Sequence, residues 1–75
     1  MNLAKELDVI LNCKKLLAEA YAVGSGEEIE FIRSGHTYMY FAITSPYKQT
    51  RYFRIDDLLD TFELKGSKWI YSMTI

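Results

Sequence analysis

The stretch from Thr37 to Thr44, TYMYFAIT, lies between a Ser-Gly turn and a Ser-Pro turn, and it is the most strand-like run in the chain. Side chains alternate along an extended strand, so Met39, Phe41 and Ile43 point one way while Tyr38, Tyr40 and Ala42 point the other. One of these faces has to be core. The more uniformly apolar alternation of the Met39 side places the core there and leaves the tyrosine side for binding chemistry; a helix over the tyrosine side would make that face core instead.

The flanking segments supply partners for this strand. Asn2 is suited to cap a helix, and from Leu3 to about Ala22 the chain is rich in Ala, Leu, Lys and Glu, the strongest helix formers. Leu3, Leu7, Ile10, Leu11, Leu17 and Tyr21 recur at helical spacing and make one apolar stripe, and Gly24-Ser25-Gly26 serves as C-cap and turn. Ser25 and Glu28 have the spacing of a capping box, but Ile29, Glu30 and Phe31 alternate, so Glu28 to Arg33 reads as a strand. Ser34-Gly35-His36 forms a hairpin turn into TYMYFAIT. A second hairpin loop, Ser45-Pro46-Tyr47-Lys48-Gln49, leads to a strand from Thr50 to Ile55.

Beyond Ile55, Asp56 is a good N-cap and predicts a short helix of about two turns over Asp57 to Phe62. Lys65-Gly66-Ser67-Lys68 is a turn, and Trp69 to Ile75 is a last strand. The expected fold class is therefore α+β in the order α-β-β-β-α-β, a single domain over residues 1–75. A long N-terminal helix packs on an antiparallel four-stranded sheet, with a short helix before the last strand.

At 75 residues the chain is near the size where a single core is marginal. Its 49% hydrophobic and 15% aromatic content meets that demand and leaves an apolar surplus, for which a dimer or a partner is an outlet. The formal net charge of −1 gives no long-range attraction to nucleic acid or anionic membrane. The single cysteine, Cys13, has no cysteine to pair with, which fits a reducing cytosol, and no apolar run reaches the length of a spanning helix. A cytoplasmic protein is expected, in the host cytosol if it is of phage origin.

No catalytic set is evident. His36 sits in a turn with no serine, cysteine or metal-ligand spacing nearby, and its bland role is to tolerate unusual backbone angles. Glu27, Glu28 and Glu30 form one acidic run and Asp56, Asp57 and Asp60 another. Acid-base work by paired carboxylates is weighed against edge solvation for the first and helix capping for the second, and no nucleophile follows either. Lysines beside Cys13 can activate a thiol, yet a buried helical cysteine is commonly a small hydrophobe. Gly24-Ser25-Gly26 lacks the lysine and spacing of a phosphate loop. No enzyme, cofactor or metal is expected.

The informative group is Tyr38, Tyr40, Tyr52 and Arg54, which alternation places on one face of neighbouring strands. Tyrosines beside a guanidinium can anchor a protein interface, stack on bases or planar ligands, or simply pack across strands. The near-neutral charge disfavours nucleic acid among these.

Leu7 to Tyr21 (LDVILNCKKLLAEAY) and Phe53 to Leu59 (FRIDDLL) resemble pieces of the Thoeris anti-defence 2-like family of short phage proteins. That family opens with an amphipathic helix, an N-G-K-K-hydrophobic run and a tryptophan, and closes with a D-L-L-A-x-D-W-like motif. Asn12, Lys14 and Lys15 match the first run, Tyr21 stands at the tryptophan, and Asp57, Leu58 and Leu59 match the start of the second. Cys13 replaces the family's glycine, and Phe62 arrives one residue early. The resemblance implies a non-enzymatic, oligomeric α+β protein that sequesters a nucleotide-derived immune signal, with Tyr21 as a stacking residue; some relatives act as anti-CRISPR proteins. Two functions are thus weighed, the first as the expected one and the second as its alternative. One is an anti-defence binding protein, anti-CRISPR in type, that masks a surface of a host defence or nucleic-acid-processing protein by direct contact. The other is an oligomeric nucleotide sponge.

Overall fold

A computed structural model describes residues 3–47 and 49–75 of the backbone, with side chains from Glu6 onward apart from Lys48. The elements are α1 (Leu3–Ala20), β1 (Glu28–Ser34), β2 (Met39–Thr44), β3 (Thr50–Ile55), β4 (Asp60–Lys65) and β5 (Lys68–Thr74). The strands form one antiparallel sheet in the order β1-β2-β3-β4-β5, a meander in which every strand pairs with its neighbour in sequence. The expected cap at Asn2 and the Leu3 end of the apolar stripe lie outside the described residues and side chains.

The α-β-β-β-α-β order is corrected: among the described residues there is one helix, and the sheet has five strands. The predicted helix from Asp57 to Phe62 is instead a tight turn followed by β4. Asp56 does accept from free N–H groups, as a cap would, but its Oδ1 binds Leu58 N at 3.0 Å and Asp60 N at 2.9 Å and closes a side-chain turn. Leu59 then takes φ 65°, a left-handed conformation that stops helical propagation. The Asp56 N–H meanwhile donates to the Asp60 carbonyl at 3.1 Å and opens a hairpin. Residues 60–65 alternate, with Thr61 and Glu63 buried on one side, and Gly66 at φ 65° allows the two-residue loop to β5.

Helix α1 also ends differently from expectation. The Val23 N–H donates to the Ala18 carbonyl at 2.9 Å and the Ala22 N–H to that of Glu19 at 3.4 Å, so the αL position falls on Ala22, at φ 50°. Gly24 and Gly26 lie downstream in the connection to β1. Gly26 is needed there for another reason: at φ 88°, a Cβ would stand 3.0 Å from Cγ of Pro46, so the loops at this end are packed together.

The helix covers the Met39 face. Cys13 and Leu17 are buried against Phe41 and Ile55, with Ile10, Tyr21, Ile29, Phe31 and Met39 packed around them. Cys13 is thus a small core hydrophobe, and burial pushes its thiol up from the ordinary value. Phe53 is fully buried under the Tyr21 ring, centroids 4.5 Å apart. Each such side chain contributes about 1.5–3 kcal/mol through removal from water. At the far side of this face, Glu63 takes two hydrogen bonds at 2.8 Å from Nε and Nη2 of Arg51, with Lys65 Nζ 3.5 Å away. Arg51 holds the Glu63 carboxyl below the usual range, and Glu63 in turn raises Arg51.

Candidate functional site: an aromatic and arginine sheet face

The opposite face of the sheet has no element over it among the described residues. Backbone register builds a row straight across it: Arg33 faces Tyr40, Tyr40 faces Arg54, Arg54 faces Phe62, and Phe62 faces Tyr71, one residue from each strand. A β-bulge at Ile32 lets Arg33 join the row, because the extra residue shifts the alternation of β1 after Phe31. Beside the row stand Tyr52 opposite Ala42 and Trp69 opposite Leu64.

The guanidinium groups are interleaved with rings. The Arg54 guanidinium carbon lies 4.1 Å from the Tyr38 ring centre, 4.9 Å from Trp69 and 5.1 Å from Phe62; that of Arg33 lies 4.1 Å over Tyr40. The rings meet edge to face, with Tyr38 on Phe62 at 5.8 Å and Tyr40 on Trp69 at 5.8 Å. Each cation–π contact contributes about 0.5–1 kcal/mol where exposed and more where water is excluded. Rings and guanidinium groups thus brace one another across the face. Gly35 allows this close approach, since a Cβ there would stand 3.3 Å from the Tyr38 carbonyl and 3.4 Å from the Tyr40 ring edge.

The cations remain incompletely satisfied. Nε of Arg54 is buried without a hydrogen-bond partner, and neither Arg33 nor Arg54 pairs with a carboxylate among the described residues. Between β1, β2 and the β4–β5 hairpin an open cavity of about 170 Å³ is lined by Ile32, Arg33, Tyr40, Tyr52, Leu64 and Trp69. Its walls are apolar and aromatic, with one guanidinium available to carboxylate or phosphate.

Of the sequence-predicted residues, Tyr38, Tyr40, Tyr52 and Arg54 share this face. Tyr21 does not: its ring lies on Phe53 under the helix side, and its hydroxyl donates to Ser72 Oγ at 2.7 Å. The carried-over stacking role thus has no place on the aromatic face. Sequence reasoning missed Arg33, Phe62, Trp69 and Tyr71. Misreading β4 as a helix hid Phe62 and broke the link to β5, although Thr61-Phe62-Glu63-Leu64 alternates ahead of Lys65-Gly66-Ser67-Lys68.

The acidic runs have local roles. A Glu27 carboxylate oxygen accepts from Gly24 N at 3.0 Å, Asp56 closes its turn, and Asp60 accepts from the Thr74 hydroxyl. His36 is exposed in the hairpin loop. No group of three metal-ligating side chains occurs among the described residues.

Together these features define an α+β meander whose helix covers one sheet face and, among the described residues, leaves an aromatic and arginine face open. Comparison with family models, curated proteins and solved structures returned no match. Among the described residues no helix is long and apolar enough to cross a membrane.

Proposed function

We propose that the protein is a small non-enzymatic binding protein that docks the Tyr38, Tyr40, Tyr52 and Arg54 face, extended by Arg33, Phe62, Trp69 and Tyr71, onto a protein partner. The observation that carries this reading is the five-strand row of rings and guanidinium groups, which has no covering element among the described residues. Tyr, Trp and Arg are the residue types that concentrate binding energy in protein interfaces, and rigid aromatic anchors lose little entropy on docking. Two guanidinium groups without carboxylates favour a partner that supplies acidic groups beside an apolar anchor sized for the cavity. The resemblance of Leu7–Tyr21 and Phe53–Leu59 to a phage anti-defence family directs the search to host defence or nucleic-acid-processing proteins, CRISPR effectors among them.

The test is capture of the partner from a host lysate, followed by calorimetry with the purified pair. Tyr40→Ala with Arg54→Ala should abolish binding, and the surface changes Tyr52→Ala and Arg33→Glu, which leave the core untouched, should each weaken it at least about tenfold, or 1.4 kcal/mol. Unchanged affinity in all of these, in folded variants, would remove the site from this face. A thermal shift of the protein alone with cyclic nucleotides or ADP-ribose derivatives would instead favour the sponge.

A further inference from the structure

The two outer strands of the sheet differ in how they treat their free backbone edge. An edge strand presents unpaired N–H and C=O groups, and proteins blunt it with charge, proline or bulges. β1 carries Glu28, Glu30 and Arg33 and a bulge at Ile32. β5 has no charge and no proline from Trp69 to Met73, and its register shift falls late, at Ser72. Its side chains are also unusually exposed for their type, Ile70 at 49% on the helix side opposite Glu63 and Tyr71 at 55% on the aromatic side.

Register determines what this edge can accept. Lys65 and Lys68 close a two-residue hairpin, so they form a hydrogen-bonded pair, and antiparallel alternation makes Leu64–Trp69 non-hydrogen-bonded, Glu63–Ile70 hydrogen-bonded and Phe62–Tyr71 non-hydrogen-bonded. The backbone groups of Trp69 and Tyr71 therefore point off the sheet, while those of Ile70 point into it.

We infer that β5 pairs antiparallel with β5 of a second copy of this chain about a two-fold axis through Ile70. The strand is self-complementary in that register. Trp69 meets Tyr71 of the other copy as a hydrogen-bonded pair on the aromatic face, twice, so the row of rings runs on across the junction. Ile70 meets Ile70 on the opposite side as the closer, non-hydrogen-bonded pair, and each covers the other. Lys68 meets Ser72 and not a second lysine. Pairing of β5 with β1 of another copy would instead be head-to-tail and open-ended, and the charges and bulge of β1 oppose it. The protein is then a symmetric dimer with one continuous ten-stranded sheet.

The test is sedimentation of the full chain from micromolar to near-millimolar concentration, with two charge variants. The wild type should double in mass across the range. Ile70→Lys and Ile70→Glu, at a half-exposed position, should each remain folded and monomeric alone and form a heterodimer when mixed, because position 70 faces itself across the axis. Amide exchange of the wild type gives a second readout: Trp69 and Tyr71 N–H groups should exchange freely when dilute and become protected when concentrated. A wild type that stays monomeric throughout overturns the inference. So does a dimer that Ile70→Lys leaves intact, or protection of these amides by an added extended peptide but not by concentration. Tyr52→Ala and Arg33→Glu should leave the dimer unchanged, so failure here is separable from failure of the partner-binding face.

Discussion

Glu63 sits in surroundings unusual for a carboxylate. It is 7% exposed yet charged, held by two hydrogen bonds from an Arg51 that is itself about half-exposed. Because the folded carboxyl titrates below its unfolded value of about 4.3, its contribution to stability is complete above that value and is lost as pH falls through the lower folded value. Glu63→Gln should therefore flatten the acid limb of the stability curve. At neutral pH the cost should be only about 1–2 kcal/mol, since solvent at Arg51 screens the pair. Urea titrations at a series of pH values measure both, and an acid limb identical to wild type would show that other carboxylates set it. The pair was invisible in the sequence because Arg51 and Glu63 are 12 positions apart and meet only once residues 60–65 are a strand.

At the scale of elements, the turn from Asp56 to Leu59 decides the topology. Asp56→Ala removes acceptors for Leu58 N and Asp60 N at once, and should lower stability by about 1–2 kcal/mol. Chemical denaturation should show an earlier midpoint with an unchanged slope; a changed slope would mean that the hairpin had come apart in the native state. The same aspartate explains what was and was not legible. Its capping chemistry was read correctly, but the N–H groups it caps belong to a turn, and only Leu59 at φ 65° distinguishes the two. The strands from Glu28, Met39, Thr50 and Lys68 were legible because alternation and turn residues agreed there. Between Asp56 and Phe62 local signals favoured a helix, and pairing with β3 and β5 overrode them.

For the whole molecule, stability rests on a thin core in which one helix covers part of a five-stranded sheet. Leu17 is fully buried where α1 meets Phe41 and Ile55. Leu17→Ala should cost about 2–5 kcal/mol, a large share of the roughly 4–11 kcal/mol expected for a domain of this size. Thermal melts followed by circular dichroism should show the loss of helix and sheet together, whereas helix loss ahead of the sheet would mean that the meander is stable alone. Half of the candidate site was readable because alternation in β2 and β3 is independent of what lies further along. Arg33 depended on a bulge, and Phe62, Trp69 and Tyr71 on strand neighbours that alternation alone does not name. The meander order has a further consequence, for how the chain reaches this state. Each strand finds its partner in the segment made just before it, so pairing requires little loop closure and keeps pace with synthesis. A nascent chain completes one hairpin at a time, and at each stage two edges are open to a neighbour, the outer side of β1 with its charges and bulge and the newest strand.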